Sequence, residues 1–164
     1  MAKLTLPEIL QMKHQGKKIT MMTAYDYATG MLCEKAGMDT ILVGDSLGMT
    51  VLGYESTVFV TMEEMVHHTK AVRRGAPNTF IIADMPFGSF NVSPEQAVIN
   101  GNILLKEGGA VSVKLEGGTV VEETVEALVS GGIPVLGHIG LTPQTVTQLG
   151  GFKVQGRSEE AARK

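Results

Sequence analysis

Six residues of chemical interest close four apolar runs. The run at residues 40–44 leads into Asp45 and Ser46, and the run at 79–83 into Asp84. The run at 111–115 carries Lys114 and leads into Glu116, and the run at 133–137 leads into His138. Singly, each has a bland reading. An Asp after a strand often caps the next helix, a His there is often only hydrogen-bonded, and a Lys and Glu two apart share one strand face as a simple ion pair. Together they put titratable groups at the ends of four successive apolar runs. Several charges around one mouth are costly to bury unless they pair with one another, a metal or a ligand.

The chemistry open to this set is restricted. Two carboxylates without a His or Cys cluster favour a hard cation, Mg²⁺ above Zn²⁺. Lys114 suits a substrate carboxylate. Glu116 beside it would hold the lysine as an ammonium ion, which argues against an imine. A cation plus an ammonium group makes a receptor for a 2-oxo acid, in which the metal polarises the keto oxygen and favours an enolate. The other candidates look structural. His67 and His68 are adjacent on a helix and point in different directions, and Cys33 reads as packing.

Five runs, at 19–23, 40–44, 79–83, 111–115 and 133–137, are mainly apolar with little alternation, as in strands covered on both faces of a parallel sheet. Helical stretches separate them. Thr5 with Glu8, Thr61 with Glu64, Ser93 with Gln96 and Thr119 with Glu122 fit the capping box. From Thr61 the stripe Met62, Met65, Val66, Thr69 and Val72 predicts a packed helix face, with Arg73 and Arg74 at its negative end and Gly75 as its cap. Other helices are expected to end near Gly37, Gly108 and Gly131. Strand and helix alternating five times predicts an α/β protein, either an open doubly wound sheet or a (β/α) barrel. The first strand's turn lacks the Gly-x-Gly-x-x-Gly fingerprint, which weakens a dinucleotide-binding version. In a barrel the strand ends share one face, and that face carries the active site.

The 164 residues carry a net charge of -3, with 43% hydrophobic and 19% charged residues. This fits one domain over residues 1–164 and favours neither nucleic acid nor an anionic membrane as partner. The basic cluster Lys13, His14, Lys17 and Lys18 reads as solvated surface. One cysteine allows no internal disulfide, and no apolar run approaches a bilayer span. No secretion signal is read at the N-terminus, so a cytoplasmic protein is expected.

Longer strings around these residues resemble ketopantoate hydroxymethyltransferase (3-methyl-2-oxobutanoate hydroxymethyltransferase). They are Val43-Gly44-Asp45-Ser46-Leu47-Gly48-Met49-Thr50, residues 68–77, Ala83-Asp84-Met85-Pro86-Phe87, Val113-Lys114-Leu115-Glu116-Gly117-Gly118, Gly137-His138-Ile139-Gly140-Leu141-Thr142-Pro143-Gln144, and residues 150–157. The resemblance implies a (β/α)8 TIM barrel of the phosphoenolpyruvate/pyruvate type, of which this chain supplies about the first five units. It implies hydroxymethyl transfer from 5,10-methylenetetrahydrofolate to 3-methyl-2-oxobutanoate, giving 2-dehydropantoate in pantothenate biosynthesis. By the same resemblance Asp45 and Asp84 are Mg²⁺ ligands that also meet substrate, and Glu116 lies by the metal through water. Ser46 and Lys114 bind the substrate carboxylate, and His138 lies near the transferred carbon. A homo-oligomer, in the family a decamer, is expected.

One departure is large. A barrel needs about 200 residues or more, and the family's chains run on for about a hundred beyond Lys164. Three strands and the family's general base, a glutamate on a later strand, are expected there. A truncated or split chain with a separate C-terminal fragment is therefore expected, and the 164 residues alone are expected to be inactive. The alternatives are a carbon–carbon lyase or phosphonomutase of the same superfamily, and a non-catalytic fragment.

Overall fold

In the computed structural model, which describes residues 4–162, parallel strands alternate with helices. The strands are β1 (Met21–Thr23), β2 (Thr40–Val43), β3 (Phe80–Asp84), β4 (Ser112–Glu116) and β5 (Val135–His138). They form one parallel sheet in the order β1-β2-β3-β4-β5. That order decides between the two folds left open by periodicity. A doubly wound sheet reverses direction at a switch point, whereas a barrel wall adds each strand beside the last. The sheet is thus an arc of barrel wall.

β1, β3, β4 and β5 start or end up to two residues later than their apolar runs, whereas β2 ends one residue earlier, at Val43. Asp84, Glu116 and His138 are consequently the last residues of their strands, not residues of the loops beyond. β3 and β4 are buried along their whole length, as expected of strands covered on both faces. β1 is exposed throughout, contrary to that expectation, with Met21 and Met22 open to solvent. β1 and β5 each pair on one side only, so their apolar residues lack the neighbours that bury the central strands.

The helices are α1 (Leu6–His14), α2 (Tyr27–Lys35), the single turn α3 (Leu47–Thr50), α4 (Met62–Gly75), α5 (Pro94–Ile103), α6 (Glu122–Ser130) and the short α7 (Glu159–Ala162). Residues Leu104–Gly108 prolong α5 as a π-helical turn. Two capping boxes form as expected. Thr5 N–H and hydroxyl donate to Glu8, and Thr61 N–H donates to Glu64 while its hydroxyl accepts from Glu64 N–H. The Ser93 hydroxyl accepts from Gln96 N–H. The fourth box does not form. Thr119–Val121 make a 3-10 turn and α6 begins at Glu122, because Gly117 and Gly118 take backbone angles that turn the chain before Thr119 can extend as a cap.

Gly75 is not the cap of α4 either. It is the last helical residue, and Ala76 follows at φ -127°. Gly75 serves packing: a Cβ there would lie 2.2 Å from Tyr27 O, and one at Gly30 would lie 2.9 Å from Val72 O. The two glycines let α2 and α4 touch backbone to backbone. The stripe of α4 packs inward as read, with Met65, Val66, Thr69 and Val72 buried. Cys33 is buried in the same core. Among the described residues no helix is long and apolar enough to cross a membrane.

Candidate active site

At the carboxyl ends of β2–β5 lies an open cavity of about 480 Å³. Asp45, Ser46, Asp84, Lys114, Glu116 and His138 all line it, with Leu42, Leu136 and Ile139 as apolar wall. All six residues named from the sequence are therefore brought together. The parallel register explains how: it sets Asp84 beside Lys114 and Glu116 beside His138.

Register also corrects one expected pairing. Lys114 does not take Glu116 as its partner. Lys114 Nζ lies 2.9 Å from Asp84 Oδ1, and Glu116 Oε1 lies 3.3 Å from His138 Nδ1. Residues two apart on a strand are separated by about 6.5 Å along the chain, whereas residues in register on neighbouring strands are only about 5 Å apart. The nearer cross-strand partners win. Asp84 Oδ2 accepts from Asp45 N–H at 3.0 Å, which couples the ends of β2 and β3.

Burial dominates the electrostatics. Asp45, Asp84, Lys114 and Glu116 are each less than a tenth exposed. Burial raises the Asp84 carboxyl to about 7, and the charge of Asp45 adds to the rise while Lys114 opposes it. Burial likewise raises Asp45, against a hydrogen bond from Gln144 and the charge of Lys114. It raises Glu116, against the Gln144 N–H and the charge of His138. Three carboxyl groups thus share one cavity with less positive charge than they would need to stay at ordinary carboxylate values.

The donor set suits a hard dication: carboxylate oxygens, no thiolate, and unmet negative charge. Among the described residues no group of three or more His, Cys, Asp or Glu is arranged to enclose a metal by itself. A cation held here would complete its shell with water and substrate, which is the habit of Mg²⁺.

Two residues were missed by sequence reasoning. Tyr25, two residues beyond β1, shares a 2.8 Å hydrogen bond between its hydroxyl and that of Ser46, and its carbonyl lies 2.6 Å from His68 Nδ1. Gln144, in the loop after β5, reaches Asp45, Met85 and Glu116. Inspecting each whole strand-end loop, rather than its first residues, would have included both. His67 is exposed and its ring meets that of His68 edge-on, at a centroid distance of 5.4 Å.

The same fold occurs in 2,3-dimethylmalate lyase, a PEP mutase/isocitrate lyase superfamily member. The TM-score is 0.60 at 16% identity, covering 80% of this chain and 51% of that one. Phosphonopyruvate hydrolase in complex with oxalate and Mg²⁺ matches at TM-score 0.65 and 14% identity, covering 82% and 52%. The parallel sheet accordingly has the fold of part of a TIM barrel. In sequence, a model of ketopantoate hydroxymethyltransferase matches residues 3–164. The 3-methyl-2-oxobutanoate hydroxymethyltransferase of Heliobacterium modesticaldum is 62% identical over 160 residues, 98% of this chain and 58% of that protein. That of Moorella thermoacetica is 60% identical over 163 residues, 99% and 61%. The chain belongs to the ketopantoate hydroxymethyltransferase family, and it spans about 58–61% of the length of these two relatives.

Proposed function

We propose that these residues form the cation and 2-oxo-acid site of an enzyme that transfers a hydroxymethyl group from 5,10-methylenetetrahydrofolate to 3-methyl-2-oxobutanoate, giving 2-dehydropantoate. The observation that carries the reading is the cavity at the strand ends, where three carboxyl groups with raised affinity for protons surround one buried lysine. The names of the 62% and 60% identical relatives support the substrate. A lyase or phosphonomutase reading draws only on fold, at 16% and 14% identity.

In this reading Asp45 and Asp84 hold Mg²⁺, with Glu116 acting through water. When bound, the cation supplies Lewis acidity at the keto oxygen and favours loss of the C3 proton. Lys114, an ammonium donor already at the site, takes the substrate carboxylate together with Ser46, whose hydroxyl is oriented by Tyr25. His138, held by Glu116, faces the incoming carbon. The C3 proton needs a base within hydrogen-bond reach. Asp84 is engaged by Lys114 and Asp45, and Glu116 by His138 and Gln144. We therefore expect residues 1–164 expressed alone to bind cation and 2-oxo acid without turnover. A cytoplasmic homo-oligomer remains part of the proposal.

The test is Mg²⁺-dependent formation of 2-dehydropantoate from the two substrates by the full-length protein. Borohydride added with the 2-oxo acid should leave the protein mass unchanged, because Lys114 binds by charge. Failure of ketopantoate formation overturns the substrate assignment, a stable adduct on Lys114 overturns its role, and full activity of residues 1–164 alone places the base among them.

A further inference from the structure

We infer that Gln144 is a positioning residue of this site, setting the direction of the Asp45 carboxylate and tying it to Glu116. The inference rests on the reading of the cavity as a cation and 2-oxo-acid site. Gln144 is only 6% exposed. Its side-chain Nε2 donates to Asp45 Oδ2 at 2.8 Å and to Met85 O at 2.9 Å, and its backbone N–H donates to Glu116 Oε2 at 2.9 Å. From the loop after β5, one residue therefore grips the ends of β2, β3 and β4.

The amide has only one workable orientation. Turned over, its oxygen would face a carboxylate and a carbonyl, two acceptors with no proton between them. In the orientation adopted, Gln144 Oε1 is buried without a hydrogen-bond partner. A buried acceptor is seldom left so. Here the two acceptors on the other side of the amide dictate it. A residue that merely filled space would not be held by donors alone. With Oδ2 gripped, the Asp45 carboxylate is restrained against rotation, which favours one direction for Oδ1. Glu116 is fixed likewise, between Gln144 N–H and His138. Outer partners that orient ligating carboxylates in this way typically change metal affinity about 10–100-fold.

The experiment uses Mn²⁺ as probe, with free ion counted by electron paramagnetic resonance in titrations of the purified full-length protein. Gln144→Met keeps the length of the side chain and removes its donors. The expected result is a Kd for Mn²⁺ raised about 10–100-fold, with near-ultraviolet circular dichroism unchanged and kcat recovered at high Mg²⁺. Gln144→Asn, one carbon shorter, falls with Gln144→Met because the amide no longer reaches. Thr142→Val removes the 2.6 Å hydroxyl contact to Thr145 in the same loop without touching a carboxylate, and should bind Mn²⁺ as the unaltered protein does. Unchanged Mn²⁺ affinity in both Gln144 variants overturns the inference. So does equal weakening by Thr142→Val, which would trace the effect to loop order. Absence of Mn²⁺ binding by the unaltered protein would instead overturn the reading of the cavity.

Discussion

The two ends of the sheet treat charge in opposite ways. At the amino ends of β3 and β4, Arg73 donates to the carbonyls of Gly109, Ala76, Pro77 and Thr79, and Glu34 accepts from Asn78 N–H, Asn78 Nδ2 and the Thr79 hydroxyl. Partial burial works against the ionised Glu34, yet these hydrogen bonds outweigh it and hold its carboxyl below the usual value. At the carboxyl ends, Asp45, Asp84 and Glu116 are all held above theirs. At one end both charged side chains are held by several hydrogen bonds, with Arg73 Nη2 alone of their polar atoms buried and unpartnered, and they hold the fold. The other is left wanting, which is the mark of a place where a ligand completes the charge balance.

The largest effect that would break this contrast is on activity. Asp84→Asn should lower ketopantoate formation by about 10²–10³-fold, the scale of losing one preorganised electrostatic group. Activity surviving this change would remove the carboxyl end from the chemistry. Arg73→Met should do the reverse. It leaves several carbonyls without their donor and should destabilise the protein by about 1–3 kcal/mol, read by denaturant unfolding, with kcat intact below the melting range.

Acidity separates the ends next. Asp84 rises from an ordinary 3.8 to about 7, so between those values the folded state holds a proton that the unfolded chain has released. Its contribution to stability is greatest below the unfolded value and is lost as pH rises through about 7. The metal-free protein should therefore melt at a lower temperature at pH 8 than at pH 6, and Asp84→Asn should flatten that limb. Glu34, held low, contributes in the opposite window: its stabilisation is present above the ordinary carboxylate value and lost on acidification through its depressed one. Glu34→Gln should flatten only the acid limb.

The smallest effect concerns α4, which runs between the two ends. Thr61→Ala removes a capping box on the cavity side of the sheet and should cost about 1 kcal/mol with no loss of kcat. An activity loss here would mean that closeness to the rim, not contact with the cavity, decides function.

Much of this was legible in the residues. Mainly apolar runs mark β3 and β4, and Asp84, Lys114, Glu116 and His138 point to the candidate site because polar groups there interrupt an apolar pattern. The pairing inside the site was not legible. Whether Lys114 meets Glu116 or Asp84 depends on strand register, a property of two segments that neither one encodes alone. Gln144 and Tyr25 stayed hidden for a related reason. An uncharged polar residue in a loop looks like any solvated one until the fold buries it. Gly75 misled because a glycine ending a helix can serve a cap or a close approach, and only the position of α2 distinguishes them.

Gln144 also sets the order in which the site can come into being. Its partners Glu116, Met85 and Asp45 lie 28, 59 and 99 residues earlier in the chain. At a synthesis rate of about 5–20 residues per second, Asp45 leaves the ribosome about 5–20 s before the amide that orients it. The nascent barrel wall thus passes through a stage in which β2–β4 have been made and their rim carboxylates still lack that donor. The contact that orients Asp45 is therefore a late one, available only once the loop after β5 has been made.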